Sequence, residues 1–293
     1  MAVGGLRRLM QPHSGANISG APSWLNTAIA TRKYRVQHEV PTVIPRTIWI
    51  CWLQGEQAMP MLVRNCVTSW RRLNPAWDVR VLSSHDLPGI MPQWNAANLS
   101  KYKRSHVADL LRLTLIRVRG GVWVDSTTFC MLPLDSWLDR ATIGTGLMLI
   151  RARGTLSGAG PNGRASVVSG YWPSTHFIAA TPRHYLVDAW HAEFQAGMAR
   201  GPPNNYYECH SSLQRRCATD AKLRAYYDSM PQVTGARTSA LPGHCPSGTA
   251  SKRIRECVAT PCAPYFKLAH HTCHNTVTFG VNSTMGVLFA LNQ

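Results

Sequence analysis

The chain has 293 residues, 45% of them hydrophobic and ten of them Trp, which is enough to bury a sizeable core as one large domain or two small ones. Thirty-one Lys and Arg against 14 Asp and Glu give a formal charge of +17, so any catalytic carboxylate comes from a short list and an anionic partner is expected. No apolar run approaches the roughly 18 residues that span a bilayer, and no Walker sequence occurs, which weighs against a P-loop enzyme.

Residues 1–42 are rich in Gly, Ser and Ala with little periodicity, and they read as a tail and linker. They lack the apolar core of a signal peptide. Localisation is therefore expected to be cytoplasmic or peripheral to a membrane, with the lumen of the secretory pathway as the alternative. Sequons beginning at Asn17, Asn98 and Asn282 are about what chance supplies.

From residue 43 to 293 the pattern is that of one domain. Thr47–Trp52 reads as a first strand. Pro60–Leu73 reads as a helix, with Leu62, Val63, Cys66, Val67 and Trp70 at helical spacing, stopped by Asn74-Pro75. Trp77–Leu82 alternates as a second strand. Strand, helix, strand, helix, strand implies βαβ units, hence an α/β fold with a mostly parallel central sheet flanked by helices.

The centre of the chain is Ser105–Asp139. Val107, Leu110, Leu111, Thr114, Leu115 and Val118 share one helical face, and Ser105, Asp109, Arg112 and Arg119 lie on the opposite edge. The i,i+3 pair Asp109/Arg112 reads from spacing alone as a solvated salt bridge. Gly120 and Gly121 end the helix, because glycine accepts the left-handed backbone a C-cap needs. Val122, Trp123 and Val124 form a short apolar strand that delivers Asp125 to its end, where α/β sheets present their ligand sites. A charge there is costly without a partner. Asp125 is either a ligand for a metal or sugar hydroxyl, or a structural cap of the turn through Ser126 or Thr127. Asp135 and Asp139 are second-line carboxylates; L-P-L-D-S-W-L reads as a helix start capped by Asp135.

Further on, Gly146–Ile150 is strand-like and Arg151–Arg164 reads as a Gly/Arg-rich loop. Val167–Ala179 is again strand-like. Arg183–Met198 is a helix, and Tyr206–Met230 is helical with a break near Thr219. Residues 235–263 form an irregular insert, and Tyr265–Ala269 a last strand. Cys51, Cys66 and Cys130 read as buried thiols. Cys245, Cys257, Cys262 and Cys273 match no common zinc spacing. His270, His271, Cys273 and His274 could bind a metal, but adjacent residues on a strand face opposite ways, so one site using all four is not expected.

The run D-L-L-R-L-T-L-I-R-V-R-G-G-V-W-V-D-S-T-T-F-C-M-L-P-L-D-S-W-L resembles the central motif of the capsular polysaccharide synthesis proteins. These resemble the GT32-like sugar-transferring families that carry a DXD motif. I-P-R-T-I-W-I-C-W and S-W-R-R-L-N-P-A-W-D-V extend the resemblance, with weaker echoes to Lys267, over most of residues 43–271. The resemblance implies a GT-A-like nucleotide-sugar-binding fold and a glycosyltransferase using a nucleotide-sugar donor, a UDP-sugar first among them, and a glycan or polysaccharide acceptor. It implies that Trp52 stacks on the base and that Asp109 and Arg112 contact the donor sugar. Asp125 matches the first Asp of DXD, but the third position is Thr127. Mn²⁺ or Mg²⁺ held through Asp125 is expected, with its affinity weakened by the neutral Thr127. Lys267 and His270, in K-L-A-H, match a motif end whose charges would neutralise the departing diphosphate. His210, in Y-Y-E-C-H, is implied to face the acceptor and to be catalytic with Asp125; a satisfied core histidine is the alternative. Peripheral membrane association is compatible with the charge, and no nucleic acid is expected as substrate. From a different class, the same fold without catalysis is a basic module that binds acidic glycan or nucleic acid.

Overall fold

The computed structural model describes residues 43–94, 96–159, 165–228, 232–234, 256, 263–268, 287–288 and 290–292. The expected tail at 1–42, nearly all of the insert, and the His270 to His274 cluster lie outside them.

The first half builds as its periodicity dictates. Strand β1 (Thr47–Cys51) leads through helix α1 (Met61–Leu73) to strand β2 (Asp78–Leu82), which pairs parallel to β1 from Thr47↔Asp78 to Cys51↔Leu82. Helix α2 (Arg104–Arg119) then returns the chain to β3 (Gly121–Val124), parallel to β1 on its other side. The glycine pair at this junction does more than cap. Gly120 and Gly121 have φ of 65° and 93°, and a Cβ on Gly121 would lie 2.6 Å from the Thr47 carbonyl oxygen. Only glycine lets β3 enter the sheet this close to β1.

After a short strand β4 (Thr128–Cys130), the chain forms the antiparallel pair β5 (Leu147–Ala159) and β6 (Ala165–Ala180). The expected loop at 151–164 is therefore strand as far as Ala159, in register with β6 from Arg151↔Pro173 to Ala159↔Ala165. Its glycines and arginines do not forbid extended backbone, and cross-strand pairing decides the matter. Helices α3 (Tyr185–Ala199), α4 (Glu208–Thr219) and α5 (Ala221–Asp228) follow, then strands β7 (Gln232–Thr234) and β8 (Tyr265–Lys267). The break near Thr219 falls between α4 and α5.

The main sheet runs β2-β1-β3-β6-β5-β7; β2/β1, β1/β3 and β5/β7 are parallel, three of its five pairings, while β3/β6 and β6/β5 are antiparallel. The fold is thus α/β, with a mostly parallel sheet between helical layers. One face carries α2, α3 and α4 through Leu110, Leu111, Trp190, Phe194 and Leu213. The other carries α1 and the Trp137 region through Ile48, Ile50, Val67, Trp70 and Phe177.

Two expectations about α2 change here. Val118 is 52% exposed, whereas Leu113 and Ile116 are fully buried, because α3 and α4 cover a second side of the helix. Asp109 and Arg112 are also buried rather than solvated. Among the described residues, no helix is long and apolar enough to cross a membrane.

Candidate active site

Four charged side chains converge at the carboxyl end of β3. Arg112 reaches from α2 and donates from Nη2 to Asp125 Oδ1 at 3.1 Å; its Nη1 lies 3.2 Å from Asp109 Oδ1 and donates to the Thr175 carbonyl at 2.8 Å. Its guanidinium also sits 5.1 Å over the Trp123 ring. Trp123 and Asp125, two apart on a strand, point the same way, and the Trp123 indole donates to Asp125 Oδ1 at 3.1 Å. Lys267 Nζ lies 3.2 Å from Asp125 Oδ2 and donates to Thr127 Oγ1. Asp125 is therefore gripped on both oxygens by cations, yet its side chain is still 23% exposed.

Packing explains how Lys267 arrives. β8 pairs antiparallel with β4, placing Lys267 opposite Thr128, and Leu268 N–H donates to the Thr127 carbonyl at 2.9 Å. Tyr265 stacks on Phe177 with ring centroids 4.9 Å apart, fixing β8 against the end of β6. Thr127 and Lys267, expected near one another only through the family resemblance, are in direct contact.

The electrostatics follow from burial and pairing. Burial alone would raise the Asp125 carboxyl, but Arg112, Lys267, His176 and the Trp123 indole outweigh it and hold the group ionised, below the usual carboxylate range. Asp109 goes the other way. Burial pushes it up to about 6, with Arg112 opposing and Asp125 adding to the rise. Cys51, at the end of β1, is pushed up to about 12 by burial and is inert as a thiol nucleophile. Cys66 and Cys130 are buried thiols, as their apolar neighbours implied.

His210 faces the same region from α4. Its ring is edge-on to Trp172 at 5.7 Å and to Tyr207 at 5.5 Å, and its Nδ1 is buried without a hydrogen-bond partner among the described residues. Burial, with Arg112 and His176 adding, lowers it to about 3, so it is a neutral imidazole. A second histidine escaped the sequence reading. His176, on β6, has its Nδ1 2.6 Å from Ser174 Oγ and is edge-on to Tyr265; burial, then Lys267, lowers it to about 3. Its backbone carbonyl accepts from Asp125 N–H at 3.0 Å. The signal was the polar S-T-H run directly before the apolar F-I-A-A that ends β6 beside the Asp-bearing strand, but strand adjacency is not visible in sequence.

Trp52 sits differently. Side chains alternate along β1, so Cys51 lies on the face of α2 and Trp52 packs toward α1, with its indole donating to the Ala58 carbonyl at 3.3 Å. It shares the sheet's edge with the cluster but is on the other face. Asp135 caps no helix. It accepts from the Trp77 indole at 2.9 Å and pairs with Arg46 at 3.3 Å, tying β2 to the loop after β4. Asp139 lies on the exposed side of the short helix Leu138–Thr142. His270 is outside the described residues. A concave region of about 670 Å³ lies along β2, lined in part by Arg71, Arg80, Asp86 and Arg119, and contains none of the cluster.

A divalent metal does not fit the cluster as it stands. Asp125 has a cation on each of its oxygens, Asp109 is taken up by Arg112, and the described residues hold no group of three or more His, Cys, Asp or Glu able to hold an ion.

Comparison with known proteins agrees with the sequence resemblance. The family model described as capsular polysaccharide synthesis protein matches residues 25–278. Among curated proteins, the glycosyltransferase afumC of Aspergillus fumigatus (strain CBS 144.89 / FGSC A1163 / CEA10) is 33% identical over 104 residues, 31% of this chain and 27% of that protein. The O-glycosyltransferase braB of Annulohypoxylon truncatum is 29% identical over 114 residues, 32% of this chain and 25% of that protein. These matches span about a quarter of each relative's length. A solved structure, PaToxG Glycosyltransferase, superposes with a TM-score of 0.43 at 12% identity over 71% of this chain and 81% of that one.

Proposed function

The chain belongs to the capsular polysaccharide synthesis protein family, and on that footing we propose that it is a glycosyltransferase that moves a sugar from a nucleotide-sugar donor, a UDP-sugar, to a glycan acceptor. The fold is read as GT-A-like, with the donor lying across the carboxyl edge of β1 and β3. The observation that carries this reading is the pair of cations, Arg112 and Lys267, held on Asp125 at that edge.

The chemistry needs such a pair. The bond from sugar C1 to the diphosphate oxygen breaks, the acceptor oxygen bonds to C1 and sheds its proton, and the nucleoside diphosphate leaves with increased negative charge. Fixed cations aimed at that oxygen stabilise charge where it develops, and they need no reorganisation as the bond breaks. Asp125 holds both cations in place, with Asp109 steadying Arg112 from the other side. Trp52, on the adjoining strand end but packed toward the opposite sheet face, is assigned to the base by resemblance to the family motif alone. His210 is a weak base at its lowered value, so its part is to orient the acceptor hydroxyl. Thr127 contributes by positioning Lys267, and His270 is assigned to the diphosphate by resemblance to the family motif.

Purified protein offered a panel of nucleotide sugars tests this, with release of nucleoside diphosphate and sugar transfer as readouts. One donor is expected to be consumed, and Asp125→Ala to lose that activity. Undiminished turnover by Asp125→Ala removes the assignment.

A further inference from the structure

We propose that the Lys267 ammonium stands where a divalent cation would otherwise sit, so that the nucleoside diphosphate is bound and released without a metal ion. This rests on the sugar-transfer reading above and adds the identity of the charge that the site uses.

The motif supplies two oxygen positions, Asp125 and Thr127. Lys267 Nζ engages both, at 3.2 Å from Asp125 Oδ2 and by a hydrogen bond to Thr127 Oγ1. The other Asp125 oxygen accepts from Arg112 and from the Trp123 indole, each at 3.1 Å. A metal ion at these ligands would have to displace the ammonium or lie against it. The second carboxylate of the cluster, Asp109, is taken up by Arg112, and among the described residues no group of three or more His, Cys, Asp or Glu could hold an ion.

Charge balance points the same way. Asp109 and Asp125 match Arg112 and Lys267 one for one. A monovalent ammonium needs one carboxylate and one neutral acceptor, which is what Asp125 and Thr127 are. A dication is better matched by two carboxylates. An ammonium also has three N–H groups. Asp125 and Thr127 take two, and the third remains for a phosphate oxygen, with the side chain 28% exposed. The ammonium is not loosely tethered, since the β4/β8 ladder and the Tyr265–Phe177 stack fix the strand that bears it.

The test uses the whole chain and two readouts. Titration calorimetry measures UDP affinity in excess EDTA and in excess Mn²⁺; the two dissociation constants are expected to agree within about threefold. Electron paramagnetic resonance of Mn²⁺ mixed with the protein alone is expected to show only free aqueous ion. Lys267→Ala should weaken UDP by about tenfold or more, and Lys267→Arg, which keeps the charge, by less. The double variant Thr127→Asp/Lys267→Ala should bind UDP only with Mn²⁺. Circular dichroism and melting of each variant separate loss of binding from loss of fold. UDP binding by the native chain that EDTA abolishes, or one tightly bound Mn²⁺ per chain, overturns the inference and leaves the sugar-transfer reading standing. Folded native protein that binds UDP under neither condition overturns both.

Discussion

Arg112 Nη2 and Asp125 Oδ1 meet at 3.1 Å, joining the middle of helix α2 to the end of strand β3. The pair is largely buried on the arginine side, at 7% exposure, and its surroundings are completed by Asp109, Trp123 and Lys267. A buried pair of this kind contributes little net stability when intact, but breaking it strands a charge.

That asymmetry gives a first prediction. Asp125→Leu leaves Arg112 and Lys267 without their shared carboxylate and should cost about 3–5 kcal/mol. The double variant Asp125→Leu/Lys267→Met removes one charge of each sign, leaves the Asp109–Arg112 pair intact, and should recover much of that loss, with no recovery of donor binding. Urea unfolding gives the stabilities and calorimetry the binding. A double variant less stable than the single one contradicts the pairing described.

The glycine junction gives a second. Gly121→Ala introduces a side chain at φ 93° and places its Cβ 2.6 Å from the Thr47 carbonyl oxygen, so either β3 or β1 must move. The expected cost exceeds about 2 kcal/mol, by strain and steric conflict together. Gly144→Ala, at φ 70° with nothing within 4 Å, meets strain alone and should cost roughly 1 kcal/mol. Equal losses in the two variants, measured by denaturant unfolding, contradict the close approach.

A third prediction concerns pH. Asp109 is raised to about 6 in the folded chain, against about 3.9 unfolded. Between these values the folded state holds the extra proton. Asp109's contribution to stability is therefore fully present below about pH 4 and is lost as pH rises through 6, with a span on the order of 2–3 kcal/mol. Asp125, lowered, acts oppositely: its contribution is present above about pH 4 and is lost only as pH falls through its folded value. Asp109→Asn should abolish the decline in stability between pH 5 and 7. Thermal melting across that range measures it, and an unchanged slope in the variant contradicts the raised value.

The proposed division of labour between base and diphosphate yields a fourth. Trp52→Ala should weaken UMP and UDP alike, by about tenfold, since a lost stacking contact is worth roughly 1–2 kcal/mol. Lys267→Ala should weaken UDP more than UMP. Calorimetric affinities for the two nucleotides give both ratios. A Trp52→Ala loss confined to UDP, or none at all, contradicts the assignment of the indole to the base.

Much of this architecture was legible in the chain. The β1–α1–β2 unit, the helix–Gly-Gly–strand block and the delivery of Asp125 to a strand end are local, and local periodicity reports them well. What escaped the sequence was non-local. Spacing alone made Asp109/Arg112 a solvated pair, because nothing near them in sequence announces that α3 and α4 cover α2. The strand at 151–159 depends on pairing with β6. His176 enters only because β6 lies beside β3. Lys267 meets Asp125 through a two-stranded ladder whose partners are far apart in the chain. Trp52 was assigned by resemblance, and strand alternation sends its ring to the opposite face from Cys51.

The most direct measurement is a crystal structure of this chain soaked with UDP and Mn²⁺. The account predicts the diphosphate at the carboxyl edge of β3, with phosphate oxygens within about 3 Å of Lys267 Nζ and within reach of Arg112. UDP seated instead in the concavity along β2, among Arg71, Arg80 and Arg119, with Lys267 and Asp125 untouched, would contradict it.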